Sequence, residues 1–131
     1  MGFEQVELGT FLHARQLASC VLKEQLGERY RINRDLSLPE ALALQASAYL
    51  IDASNTDSMY GLQVVRLTTL TSQSVSAILD RFENRDRVFD SEWETQERAT
   101  SRNKPARRMY TPTSLGRTVL GFFKPSSDLA E

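Results

Sequence analysis

Between Ser72 and Thr95 the hydrophobic period of this chain switches from helical to extended, and that switch narrows the possible folds more than any other feature. Val75, Ile78, Leu79 and Phe82 stand at i, i+3, i+4 and i+7, the cleanest amphipathic stripe in the sequence. Gln73, Ser76, Asp80, Arg81 and Asn84 occupy the opposite face. Thr71 or Ser72 caps this predicted helix, and Asn84 to Asp86, residue types that tolerate a left-handed backbone, end it. From Val88 to Thr95 the residues alternate, with Phe89 and Trp93 on one face and Asp90, Glu92 and Glu94 on the other. Ala106 to Thr111 is a second strand with Met109 and Tyr110 as its large residues, and the polar stretch Gln96 to Pro105 joins the two as a long hairpin loop.

Helices flank this unit. A first helix runs from Thr10 to about Tyr30, with Phe11, Ala14, Leu17, Ala18, Val21, Leu22 and Leu26 as its apolar residues. At about 100° per residue they cover roughly half the circumference, more than one packing face needs. The helix is therefore expected to touch its own domain on one side and a second chain on the other. Phe11, Leu17, Val21, Leu22 and Leu26 are the candidate dimerisation residues, and the alternative is a deeply buried helix in a monomer. Asn33, Arg34 and Asp35 break the pattern, and Ser37 caps a second helix with Pro39 and Glu40 in its first turn, continuing to about Ala53. Ser54 to Asp57 reads as a turn, followed by a short helix from Met59 to Arg66 with Leu62, Val65 and Tyr60 inward. Pro112 and Thr113 open a last helix carrying Leu115, Val119, Leu120, Phe122 and Phe123, which Pro125 to Ser127 ends.

A chain of 131 residues, 40% hydrophobic and 25% charged, suits one domain with a real core. One Cys and one His exclude a disulfide scaffold and an ordinary zinc site. No apolar run approaches the roughly 18 residues of a membrane span. The opening residues Met1 to Gly9 lack a basic start and apolar stretch, so a cytoplasmic protein is expected. No G-x-S-x-G, Walker loop, dinucleotide turn or H-E-x-x-H is present, and neither an enzyme, a metal nor a cofactor is expected.

The order helix, helix, helix, hairpin, helix is that of a winged helix. The expected fold is α+β and mostly α: a winged helix-turn-helix with an additional N-terminal helix. Residues 1–35 form the expected dimerisation element, 36–124 the DNA-binding domain and 125–131 a flexible tail. Thr71, Ser72, Gln73, Ser74 and Ser76 are small and polar at the start of the amphipathic helix, where such side chains can approach a groove floor and read base edges. Arg81, further along the same helix, is another candidate DNA contact. The net charge is only −1, yet Arg98, Arg102, Lys104, Arg107 and Arg108 form a +5 segment without a carboxylate, leaving −6 on the other residues. Those cations are candidates for phosphate or minor-groove contacts, and a solvated polar loop is the alternative.

Several segments resemble the PadR-like winged-helix transcriptional regulators. Met59-Tyr60-Gly61-Leu62 is similar to the start of that family's second core helix, and Leu70 to Phe82, with Arg81, follows its recognition helix. Ser91-Glu92-Trp93-Glu94 resembles its first wing strand. Arg107-Arg108-Met109-Tyr110 and Thr113-Ser114-Leu115-Gly116-Arg117 resemble its second wing strand and the helix beyond. Ser76 stands where the family often has Tyr, and Asp86-Arg87 where it has Gly-Leu. The resemblance implies a DNA-binding regulator. The family's C-terminal dimerisation region has no counterpart after Phe123, and the first helix is expected to replace it.

The expected function is sequence-specific binding of double-stranded DNA by a homodimeric transcriptional repressor. The alternatives are a partition or architectural protein of a plasmid or phage, and a winged helix that binds only proteins. A small-molecule effector has no support in the sequence. Trp93 and Tyr60 are expected to pack against the core, as is Tyr110; Cys20 is expected buried and His13 at the surface. Asp90, Glu92 and Glu94 are expected on one solvated face, and Gly116 at a site of close packing.

Overall fold

A computed structural model describes residues 7–27, 35–53 and 57–124, and four of its six helices begin on a Ser or Thr side-chain cap. Helix α1 (Leu8–Leu26) closes at Gly27, whose φ of 57° would strain any residue with a Cβ. Ser19 Oγ accepts from the Leu36 N–H at 2.9 Å, and Arg15 Nε donates to the Leu36 carbonyl, which ties the following segment back to α1. Helix α2 (Leu38–Ala53) opens on a reciprocal capping box between Ser37 and Glu40. Its stretch from Ala43 to Ala48 is buried all round, and the small alanines let the neighbouring helices close upon it.

Strand β1 (Met59–Tyr60) leads directly into α3 (Gly61–Thr68). Thr69, at φ 62°, turns the chain towards α4 (Ser72–Asn84). Strand β2 (Phe89–Trp93), helix α5 (Gln96–Arg102), strand β3 (Arg108–Pro112) and helix α6 (Ser114–Gly121) follow. The sheet is antiparallel in the order β1-β3-β2, with Met59 opposite Tyr110 and Trp93 opposite Arg108. This is a winged helix-turn-helix, an α+β fold that is mostly helical: α3 and α4 are the helix pair, and β2 and β3 the wing.

One core serves all the described elements except α5, whose buried Ala99 lies outside the cluster. Val75, Ile78, Leu79 and Phe82 of α4 enter it as the stripe predicts, and the Phe82 ring meets Phe89 edge-on. Phe11, Ala14, Ala18 and Leu22 of α1 belong to the same cluster, and Phe11 lies against Phe123. Phe11 and Leu22, expected at a contact with a second chain, are thus consumed within this one; Val21 and Leu26 pack partly against the core, and Leu17 is exposed. Gly116 of α6 sits where a Cβ would stand 2.0 Å from the Val88 carbonyl oxygen. The same oxygen accepts the Thr113 N–H at 3.0 Å.

The link between α4 and β2 has no slack. Asp86 N donates to Arg81 O at 3.0 Å and Val88 N to Phe82 O at 2.7 Å. Asp86 is buried and ion-paired with Arg85, and Arg87 takes a left-handed φ of 60°.

Several local expectations are corrected. Met59 and Tyr60 are strand, not helix, because β3 offers them a pairing edge. Leu62 points to solvent and Val64 inward. The hairpin loop contains α5, started by the Thr95 side chain accepting from the Arg98 N–H and ended by Asn103 in the left-handed region. Glu94 is buried rather than solvated, Trp93 and Cys20 are exposed rather than buried, and Tyr60 is half-buried. Asn33, Arg34, the end of the first helix at Tyr30, most of the Ser54–Asp57 turn and the 125–131 tail lie outside the described residues.

Candidate nucleic-acid interface

The stripe that seats α4 on the core leaves its other face outward. Ser72, Gln73, Ser74, Ser76 and Ala77 are all exposed. The Thr71 hydroxyl accepts from the Ser74 N–H at 3.1 Å and donates to Ser74 Oγ at 3.0 Å, so Thr71 caps the helix and orients Ser74. Gln73 and Ser76 face an open trough of about 780 Å³ whose far wall is Arg108 and Tyr110 of β3. Asp80 and Glu83 lie further along it. A second groove, of about 490 Å³, runs between the start of α3 and the return of the wing, bordered by Leu62, Arg66, Ser76 and Lys104.

Arg81, its side chain 41% exposed, is tied inward at its tip. Its guanidinium donates to Glu40 Oε2 at 3.2 Å, and that carboxylate is buried at the start of α2. Arg85 approaches the same oxygen at 3.6 Å. This ionic contact braces α4 against α2, and the spacing of Arg81 in α4 gave no sign of a partner so far away in sequence.

The five cations of the wing divide into three sets. Glu94, its side chain only 3% exposed, collects two of them: Arg102 donates to both carboxylate oxygens, and Arg107 donates to Oε2 at 3.1 Å and through its backbone N–H to Oε1 at 3.3 Å. The hydrogen bond from Arg102, joined by those from Arg107, outweighs burial and draws the Glu94 carboxyl down to a pKa of about 2. Arg107 also lies 3.8 Å over the Tyr60 ring. Arg108 is held by Ser91 Oγ at 2.8 Å, with Glu83 at 3.9 Å, and leans over Trp93. Arg98 and Lys104 are exposed and make no ion pair among the described residues. The cationic segment therefore offers fewer unpaired charges than its composition implies. Glu94 precedes the segment, and only the fold brings it onto Arg102 and Arg107.

Asp90 and Glu92 are exposed, and no group of three His, Cys, Asp or Glu side chains that could hold a metal occurs among the described residues. Nor is any described helix long and apolar enough to cross a membrane.

No family model matches the chain, and no curated protein does. Among solved structures it is similar to the crystal structure of a probable transcriptional regulator from Pseudomonas aeruginosa. The identity is 16%, over 88% of this chain and 72% of that one, with a TM-score of 0.46, a likeness too slight to carry a functional argument.

Proposed function

We propose that the chain binds double-stranded DNA in a sequence-specific way and acts as a homodimeric transcriptional repressor at the nucleoid. The observation that carries this reading is the pairing of an outward stripe of small polar residues on α4 with the exposed wing cations Arg98, Lys104 and Arg108. Gln73 and Ser76 are free to meet base edges, with Ser72 and Ser74 beside them, and the first turn of α4 favours a phosphate. Arg98 and Lys104 are the wing's phosphate contacts, with Arg108 beside the trough; Arg102 and Arg107 serve by holding α5 in place. Membership of the PadR-like regulators is part of the proposal, supported by the sequence segments that resemble that family. The dimer contact falls to the outward residues of α1, of which Leu8, Leu12 and Leu17 are apolar.

Selecting bound fragments from the source genome and titrating the best duplex tests the reading. Gln73→Ala then weakens the preferred site by about 1–3 kcal/mol and leaves random DNA nearly unchanged. Equal loss on both duplexes removes Gln73 as a base reader. Light scattering that returns a monomer at tens of micromolar removes the dimer. A second reading, a winged helix that binds only proteins, draws on the internal neutralisation of Arg102 and Arg107 by Glu94. Absence of duplex binding even at low salt favours it.

A further inference from the structure

Trp93 is the only tryptophan in the chain and is 62% exposed. That leaves on the order of 150 Å² of indole in water. Its position gives the exposure meaning. Phe89, Ser91 and Trp93 alternate onto one face of β2, and the first two are engaged with α4: Phe89 packs on Phe82, and Ser91 Oγ donates to Glu83 at 2.8 Å. Trp93 leaves the wing from that same face, beyond the point where the core ends. Its cross-strand neighbour Arg108 lies with its guanidinium carbon 5.3 Å from the ring centroid and lines the trough beside α4. The carboxylates Asp90 and Glu92 alternate onto the other face of the strand.

Resting on the DNA-binding reading, we propose that Trp93 and Arg108 form one composite contact to the DNA strand that passes between α4 and the wing. The indole packs on a deoxyribose, and the guanidinium beneath it meets the adjoining phosphate. The occupant is duplex DNA because the apolar ring is coupled to a cation and the carboxylates of β2 itself lie on its far face; Asp80 and Glu83 of α4 line the same trough, and Glu83, 3.9 Å from Arg108, is bonded by Ser91. Such a contact strengthens binding without reading sequence.

The sole tryptophan makes the test direct, because its emission reports this residue alone. Wild-type protein is titrated with the selected duplex and with a random one, following a label on the DNA and the protein's emission together. Trp93 emission is expected to change in parallel with binding of either duplex. Trp93→Ala is expected to weaken both duplexes about tenfold with the salt dependence unchanged, and Trp93→Phe to recover most of the loss. Arg108→Ala is expected to flatten the slope of log affinity against log salt by about 0.9. Binding by the label with constant Trp93 emission overturns this contact and leaves the DNA-binding reading intact, and that outcome needs no variant to fold. Failure of the wild type to bind any duplex at low salt removes both.

Discussion

Replacing Gly116 with Ala sets two effects of opposite sign against each other. In a helix interior Ala is favoured over Gly by about 1 kcal/mol, and at Gly116, in the first turn of α6, propensity alone predicts a gain of at most that size. At Gly116 the new methyl would lie 2.0 Å from Val88 O, 3.0 Å from Val88 C and 3.2 Å from Pro112 Cβ. The nearest obstacle is backbone, which cannot rotate aside. Relief requires α6 and the start of β2 to part by roughly an ångström or more, the shortfall from ordinary contact distance. That movement stretches the 3.0 Å bond from Thr113 N to Val88 O, worth about 1 kcal/mol, and disturbs the buried Val88 and Val119. Overpacking of this kind costs roughly 1–3 kcal/mol, occasionally more. The net expectation for Gly116→Ala is a loss of about 1–3 kcal/mol. Gly121 lies in the same helix with nothing within 4 Å of an added Cβ, so Gly121→Ala should gain up to about 1 kcal/mol. Urea unfolding followed by circular dichroism measures both. A Gly116→Ala variant as stable as wild type would refute the reasoning, since it would mean that α6 does not sit against the Val88 carbonyl.

Other expectations follow from the ionic contacts. Glu94, drawn down from 4.5 to about 2, contributes stability that is complete above its ordinary value and lost as pH falls through about 2. The stability gap between wild type and Glu94→Gln should therefore close between about pH 4.5 and pH 2, and a gap independent of pH would count against the ion pairs. Glu40→Ala leaves the Ser37 cap but removes the carboxylate that accepts the Ser37 N–H and braces Arg81, and should cost about 2–3 kcal/mol by denaturant titration. Replacing Arg98 and Lys104 together by Ala should flatten the salt slope of DNA binding by up to about 2 without shifting the melting temperature, whereas Arg102→Ala should loosen α5, seen as faster amide exchange there.

What could be read from the sequence was local. Val75, Ile78, Leu79 and Phe82 declare a buried face because one helix periodicity contains all of them. Ser37, Thr71 and Thr113 act within a single turn, and each caps the helix expected of it. The unread parts depend on distant partners. Met59 and Tyr60 make too short a strand for any period, and only β3 makes them one. Glu94 alternates like a surface residue, yet Arg102 and Arg107 return to enclose it. Alternation assigned Trp93 to the face of Phe89 but could not say where along β2 the core stops. The start of α5 had local signals in Thr95 and Glu97, which the polar composition of the stretch concealed.

Under the proposed DNA-binding function, the tight link from Phe82 to Val88 also bears on what a DNA site must supply. With Val88 bonded to Phe82, and Asp86 bonded to Arg81 and ion-paired with Arg85, helix and wing form one rigid gauge. Changing the separation of its two prongs to suit a duplex would break these bonds. If one enters the major groove and the other the neighbouring minor groove, the DNA must do the adjusting. Flexible pyrimidine–purine steps or a naturally narrow minor groove would then be favoured at base pairs that no side chain touches.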